Sequence, residues 1–407
     1  MSRRRRILVL NQYYWPGVEA TAHLLTELCE CLAEEFDVTV VTASRGDEAP
    51  AGRSARNGVE IVRVRATGYD RTKLFLRATN YASYLASSLR HVLTEERPDL
   101  ILCMTDPPVI GDIGYAAARR FRVPLVVISQ DVFPEIAIEL NRLENPLVVK
   151  TLRTLINFYL RKADAVVAIG ERMRERLVEK GARADRVIVI PNWVRTEAIQ
   201  PMPQDNDWAR DNGLAGRFVV MHSGNIGHAQ DLDSLVRAAT FLRDLDDVTI
   251  ALIGAGARLA DLSAFAERLE TDNVTFLPYQ PRPALSQSLS TGSVHVVGLA
   301  KGLSGFVVPS RLYGVMAAGR PVIVSADEDS ETAQVVLTAG AGVVVPPGAP
   351  DRLAAAIRAF RGGEHDGEAM GRRAREYVLR ESDRLMAVDA YARLLRGLTD
   401  GQKVSSA

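Results

Sequence analysis

Twice along this chain of 407 residues, short unbroken apolar runs alternate with stretches of helical period, and that alternation limits the folds available to it. In the first half the strand-like runs are Ile7–Leu10, Val38–Thr42, Val59–Val64, Leu100–Cys103, Leu125–Ser129, Ala165–Ile169 and Val187–Ile190. Helical patterns lie between most of them, such as Ala20–Glu35 with Leu24, Leu28 and Leu32 on one face. Apolar strands without polar alternation are buried on both faces, so the pattern predicts a parallel sheet covered by helices through right-handed crossovers. The pattern restarts after residue 216, with runs at Phe218–His222, Val248–Ile253, Val274–Leu277, Val294–Val297, Val322–Ser325 and Gly342–Val345, and helices near Leu232–Arg243, Leu259–Glu270 and Ser310–Ala318. The fold class expected is therefore α/β, with two doubly wound, Rossmann-like parallel sheets facing across a cleft.

The chain is longer than one hydrophobic core usually supports, which agrees with two domains. Residues 1–197 are read as the first domain and 198–216 as a linker, because Gln200–Gly216 is polar, proline-bearing and aperiodic. Residues 217–383 form the second domain. A helix at 384–398 is expected to pack back on the first, and a disordered tail closes the chain at 399–407. Lys+Arg and Asp+Glu both number 50, so no global field draws nucleic acid. The basic start Arg3–Arg6 precedes only ILVL, too short for a signal peptide, and no run reaches membrane-spanning length. Cys29, Cys31 and Cys103 give no paired framework and no metal spacing, which suits free thiols in a cytoplasmic setting.

In open parallel sheets, ligands bind beyond the carboxyl ends of strands. In the second half these ends carry Gly224, Asn225 and Gly227 after the first strand, Gly254 and Gly256 after the second, and Pro278 after the third. Glycines there let backbone approach a ligand and turn N–H groups toward phosphate. Ser310 and Arg311 would open a helix, with the hydroxyl as cap and the guanidinium forking onto phosphate oxygens. Glu331 follows in the acidic turn after Ser325. In the first half, Tyr14, Trp15 and Gly17 follow the first strand, where rings and amides suit a sugar. Asp131 and Glu135 follow Leu125–Ser129 as candidate catalytic carboxylates, with a helix cap and a solvated first-turn charge as the plainer roles. The pairs Asp231/Asp233 and Asp327/Asp329 sit where helices begin, so no metal and no cofactor are expected. His222 reads as a structural histidine.

In their order, NQYYWPG (11–17), QDVFPE (130–135), KADAVVAIGERMRERLVEKG (162–181), VIVIPNWV (187–194), HSGNIGHAQDLDSLVRAA (222–239), IGAGA (253–257), FLPY (276–279) and VPSRLYGVMAAGRPVI (308–323) resemble GT-B glycosyltransferases of family 4. Within it they are similar to the WbuB-like bacterial polysaccharide transferases. The resemblance implies transfer of a sugar, UDP-linked and among the candidates N-acetylated, from a nucleotide diphosphate held by the C-terminal domain. The acceptor, a lipid-linked molecule or a glycan, would be held by the N-terminal one. Phe306 and Gly314 stand where most members carry paired glutamates, and Asn225 and Gln230 where they carry the Arg and Lys that grip the diphosphate. Arg311, with Ser310 and the amides of Gly224–Gly227, is then the expected diphosphate ligand. Arg3–Arg6, Lys150, Arg153, Arg161, Lys162, Arg172, Arg174 and Arg176, with apolar area along Leu147–Leu160, suggest a peripheral site on an anionic membrane. A nucleotide-sugar epimerase of the same fold and a non-catalytic partner of another transferase are the rival readings.

Overall fold

A computed structural model describes residues 3–17, 19–68 and 74–402, so the end of the expected tail, 403–407, lies outside the described residues. The chain divides into two compact units. The first holds the chain to Pro191, Gly305–Val307 and the chain from Ala387. The second holds Asn192–Ser304 and Val308–Met386.

The first unit runs β1 (Arg6–Leu10), α1 (Ala20–Leu32), β2 (Asp37–Ala43), β3 (Gly52–Arg56), β4 (Val59–Val64), α2 (Leu74–Thr94), β5 (Leu100–Met104), α3 (Ile110–Phe121), β6 (Leu125–Ser129), α4 (Glu135–Glu139), α5 (Pro146–Lys162), β7 (Ala165–Ala168), α6 (Glu171–Glu179) and β8 (Val187–Val189). The strand order is β3-β4-β2-β1-β5-β6-β7-β8, parallel except for β3. Strands β5, β6 and β7 are buried at every residue, which is why they read as unbroken apolar runs. Sequence reasoning passed over β3, an exposed, polar edge strand. Its signal was nevertheless present: Asn57 and Gly58, at φ 45° and 82°, form the two-residue turn to β4.

The second unit runs α7 (Asp207–Asp211), β9 (Phe218–Ser223), α8 (Leu232–Thr240), β10 (Val248–Ile253), α9 (Leu259–Arg268), β11 (Val274–Leu277), α10 (Leu285–Thr291), β12 (Val294–Gly298), α11 (Arg311–Ala317), β13 (Val322–Ser325), α12 (Glu331–Ala339), β14 (Gly342–Val345), α13 (Pro350–Arg361) and α14 (Gly367–Glu381). The helix α15 (Arg384–Thr399) follows, and from Ala387 it belongs to the first unit, where Arg396 pairs with Glu35 at 3.0 Å. The six strands are all parallel in the order β11-β10-β9-β12-β13-β14. The winding direction reverses between β9 and β12 here, and between β1 and β5 in the first unit. At such a switch point the loops after two adjacent strands diverge and leave a crevice.

The segment read as a linker belongs to the second unit throughout, with the Gln200 and Met202 N–H groups donating to Ser286 and Ser290 at 3.1 and 3.0 Å. Asn206 accepts from Ala209 N–H to cap α7, and Trp208 packs with Leu214, Val219, Met221, Ala251 and Ile253. The Trp208 indole also donates to Gln280 at 2.8 Å. Burial of one aromatic ring outweighs the polar composition around it. Trp208→Ala should therefore lower the stability of the second unit by about 3–5 kcal/mol, read as a lower urea midpoint of the full chain. An unchanged midpoint would show that this segment is a tether.

Candidate functional site

In the second unit the turns after β9 and β10 are nested. A Cβ on Gly254 would lie 1.8 Å from the Gly224 carbonyl oxygen, and one on Gly256 would lie 2.2 Å from that of Ile226, so only glycine permits the approach. This closeness uses up the donors that were expected to meet phosphate. Gly224 N–H donates to Ile253 O (2.8 Å), Ile226 N–H to Ala255 O (2.9 Å) and Gly227 N–H to the Gln230 side chain (3.0 Å). Of the amides from Gly224 to Gly227, Asn225 is the one left without a partner among the described residues. The glycines serve backbone packing between turns, and the expected cradle of amides shrinks to that single group.

Arg311 opens α11, the helix after β12, and crosses to the turn after β9. Its guanidinium carbon lies 3.2 Å from where a Gly224 Cβ would be. Nη2 donates to Asn225 O at 3.2 Å, and Nη1 touches the His222 ring, 3.2 Å from Nδ1 and closer to Nε2. Arg311 thus spans the switch-point crevice of this sheet. Partial loss of water lowers its pKa to about 10, and among the described residues no carboxylate pairs with it. Burial, then the charge of Arg311, holds His222 well below its ordinary value, so the imidazole is neutral.

Ser310 precedes α11 but its hydroxyl makes no cap hydrogen bond. It sits at φ −61° and ψ −21°, whereas a capping side chain folds back from an extended backbone. Its expected capping role is therefore corrected. Pro278 follows the edge strand β11, and Glu331 opens α12 after β13, so each marks a strand end to one side of the crevice.

In the first unit, the switch-point loops after β1 and β5 are tied together. Gln12 N–H donates to Asp106 O at 2.8 Å, and Asp106 N–H donates to Asn11 Oδ1 at 3.1 Å. Thr105 Oγ1 accepts from Gln130 N–H at 3.2 Å and so joins the loop after β6. Asn11 and Gln12 carry the amides that NQYYWPG offered to a sugar, whereas Thr105 was not among the expected site residues. A polar tetrad at two strand ends is a signal only once the strands are known to be neighbours.

Tyr14 is corrected as a ring for stacking: it is 2% exposed, sealed beside the Cys29 thiol. Trp15 remains 39% exposed, with the Arg56 and Arg63 guanidinium groups 4.6 and 5.5 Å from its ring centre. Gly17 closes the turn by donating to Tyr14 O at 2.8 Å.

The two candidate carboxylates differ sharply. Glu135 opens α4 with both oxygens engaged, by Arg153 at 3.1 Å and Lys180 at 2.6 Å. Asp131 caps no helix. Its backbone bridges to Val307, Val132 N–H donates to Phe306 O at 2.9 Å, and among the described residues no side chain donates to its carboxyl. Burial, reinforced by Asp106, pushes that carboxyl up to about 7. Thr105, Phe133, Tyr159 and Lys180 line the adjoining cavity.

The basic residues also divide. Arg3, Arg5 and Arg6 pair with Asp99, Asp400, Glu95 and Glu96, while Arg172, Arg174 and Arg176 pair with glutamates of their own helix. Helix α5 keeps Lys150, Arg161 and Lys162 without a carboxylate partner among the described residues. It exposes Leu147 (72%), Val148, Leu155 and Phe158 beside a groove of about 860 Å³. Among the described residues no helix is long and apolar enough to cross a membrane.

Comparison with known proteins places both halves. Residues 19–193 match the Glycosyl transferase 4-like domain and residues 204–377 the Glycosyl transferases group 1 domain. The chain is 31% identical over 243 residues to WcaI of Escherichia coli K12, a protein named for glycosyl transfer in colanic acid biosynthesis; that match spans 58% of each chain. It is 23% identical to WbjE of Pseudomonas aeruginosa, designated a glycosyltransferase, over 98% of this chain and all of the other. Among solved structures, sucrose-phosphate synthase from Thermosynechococcus elongatus superposes with a TM-score of 0.82 at 18% identity, covering 98% of this chain and 100% of that one. Anabaena HepE in complex with UDP-glucose gives 0.75 at 17%, covering 96% and 99%. With a doubly wound sheet in each half and both domains matched, the chain belongs to the GT-B glycosyltransferases of family 4.

The environment of Asp131 has a measurable consequence. A carboxyl raised in the folded state costs no stability below its unfolded value near about 4, costs progressively more as pH rises toward about 7, and a constant amount above. The urea midpoint of Asp131→Asn minus that of the wild type should therefore grow across that window and level off beyond it. A flat difference would mean that the carboxyl is solvated.

Proposed function

We propose that the protein transfers a sugar from a nucleoside diphosphate to a lipid-linked or glycan acceptor in cell-surface polysaccharide assembly, at the inner face of the plasma membrane. The observation that carries this is the Arg311 guanidinium, half-buried, without a carboxylate among the described residues, and set across a switch-point crevice at the carboxyl ends of a parallel sheet. A partly desolvated cation gains from a counter-ion, and a diphosphate meets a guanidinium with the matching fork of oxygens. The complex of HepE with UDP-glucose favours a UDP-linked donor, and the name of WcaI favours a polysaccharide pathway.

Transfer breaks the bond between the sugar's anomeric carbon and the diphosphate oxygen, and negative charge grows on the leaving phosphate. Arg311, aided by the Asn225 amide, would stabilise that charge. Asp131 is the better placed of the two carboxylates to receive the acceptor hydroxyl proton, because a carboxyl near neutral affinity can take and release one. Glu135 would act by holding Arg153 and Lys180. A reaction without a metal is supported by the acidic pairs being engaged: Asp231 accepts from Gly348 N–H and Ser234, and Asp233 pairs with Arg258. Asp327 accepts from Gly302 N–H.

Arg311→Ala should lower kcat/KM by about 10²–10³ with the thermal midpoint retained. Near-normal activity would sink the assignment. A thermal-shift screen against UDP-, GDP- and dTDP-sugars should reveal one stabilising nucleotide.

For the membrane, we place the contact at α5, where each approaching cation would add about 1 kcal/mol on an anionic surface. A Leu147→Glu, Phe158→Glu double variant should lose co-sedimentation with anionic liposomes while keeping turnover on a water-soluble acceptor. Binding that ignores both the substitutions and salt would exclude this face.

A further inference from the structure

We propose that His222 is a positioning residue for the leaving diphosphate: its neutral ring orients the Arg311 guanidinium while leaving the positive charge for the ligand. The inference rests on the donor reading of Arg311 and adds the device that makes that residue usable.

His222 lies in β9, fully buried, in register with Leu252 of the neighbouring strand. It is a polar residue in an otherwise apolar strand, FVVMHS, and its ring reaches the residues that define the crevice. Its Nε2 lies 3.4 Å from Asn225 O, the carbonyl that also accepts from Arg311 Nη2, while Nη1 of the same guanidinium rests on the ring nitrogens. Arg311, His222 and the Asn225 carbonyl thus close a small ring of contacts, fixing the guanidinium at two of its nitrogens. Gly224 beneath it has no side chain to displace it.

The residue type matters because two other solutions would defeat the purpose. A carboxylate at position 222 would grip Arg311 more tightly, but it would neutralise the charge that a diphosphate must meet. An aliphatic side chain would leave the guanidinium free to swing, and the ligand would then bear the cost of ordering it. A neutral imidazole offers a lone pair with no charge, and a charged one is disfavoured because it would be buried against the Arg311 cation.

The experiment is calorimetry of the full-length protein with UDP, GDP, dTDP and ADP, each against its nucleoside, for the wild type, Arg311→Ala, His222→Leu, His222→Gln and His222→Asp. Thermal midpoints confirm folding of each variant. For the diphosphate that binds, His222→Leu should weaken affinity about tenfold, with nucleoside binding unchanged, and His222→Gln, which keeps a neutral acceptor, should recover most of the loss. His222→Asp should weaken the diphosphate at least as much as His222→Leu. A purely structural role would weaken nucleoside and diphosphate together and would show no rescue by Gln, and that result overturns the proposal. Should Arg311→Ala bind the diphosphate as the wild type does, or the wild type bind none of the four, the donor reading itself fails. If Arg311→Ala loses affinity and His222→Leu does not, the positioning role alone fails.

Discussion

A half-buried guanidinium with no carboxylate beside it keeps its charge for a ligand, and the turns of the second unit are arranged around it. Hydrogen bonds to one carbonyl and one neutral ring compensate Arg311 for part of its lost hydration and leave its net charge intact. The surrounding turns contribute shape more than charge. Gly254 and Gly256 let the loops after β9 and β10 lie backbone on backbone, so these loops satisfy most of their own donors. The positive potential in the crevice therefore comes mainly from one side chain. A loop of free amides would have spread it, and this chain has exchanged that spread for rigidity.

The first unit uses charge in the opposite way. Lys180 is 9% exposed and is matched by Glu135, which Arg153 also contacts, so a buried ammonium and its carboxylate form a closed network. Asp131, four residues earlier in the same loop, receives no such donor and is made weakly acidic by burial beside Asp106. Glu135 is thus a paired structural anion, while the raised carboxyl of Asp131 is a group able to exchange a proton. The division arises from which side chains α5 and α6 bring to the loop after β6.

The parallel core could be read from the sequence because both faces of its strands are covered, and unbroken apolar runs mark such strands with little ambiguity. Where burial is one-sided or absent the reading weakened. Strand β3 is polar and exposed, and its Asn57-Gly58 turn had to be noticed by itself. Helix α7 hides one buried tryptophan inside a polar segment. At the site, the candidate residues of the second unit were identified from strand ends and glycines, but what they do depends on spatial adjacency. That Gly224 and Ile226 spend their amides on the next turn follows from the pairing of β9 with β10. That Tyr14 turns inward depends on the packing of α1, and no spacing in NQYYWPG reports it.

Phe306 and Gly314, which stand where the resemblance implies paired glutamates, are both engaged in packing. Phe306 belongs to the first unit, where its carbonyl accepts from Val132 N–H and its ring lies 4.8 Å from the Arg176 guanidinium. A glutamate placed there would meet Arg176 and form an ion pair with it. At position 314 a side chain would begin 3.7 Å from Leu289 and 3.8 Å from Ile199, an apolar surrounding that disfavours a carboxylate. Both positions have thus been given over to packing, and neither substitution alone would restore a polar contact to a ligand. On the proposed donor reading, recognition falls to groups that remain polar at the crevice, among them Arg311, the Asn225 amide and the neutral imidazole behind them.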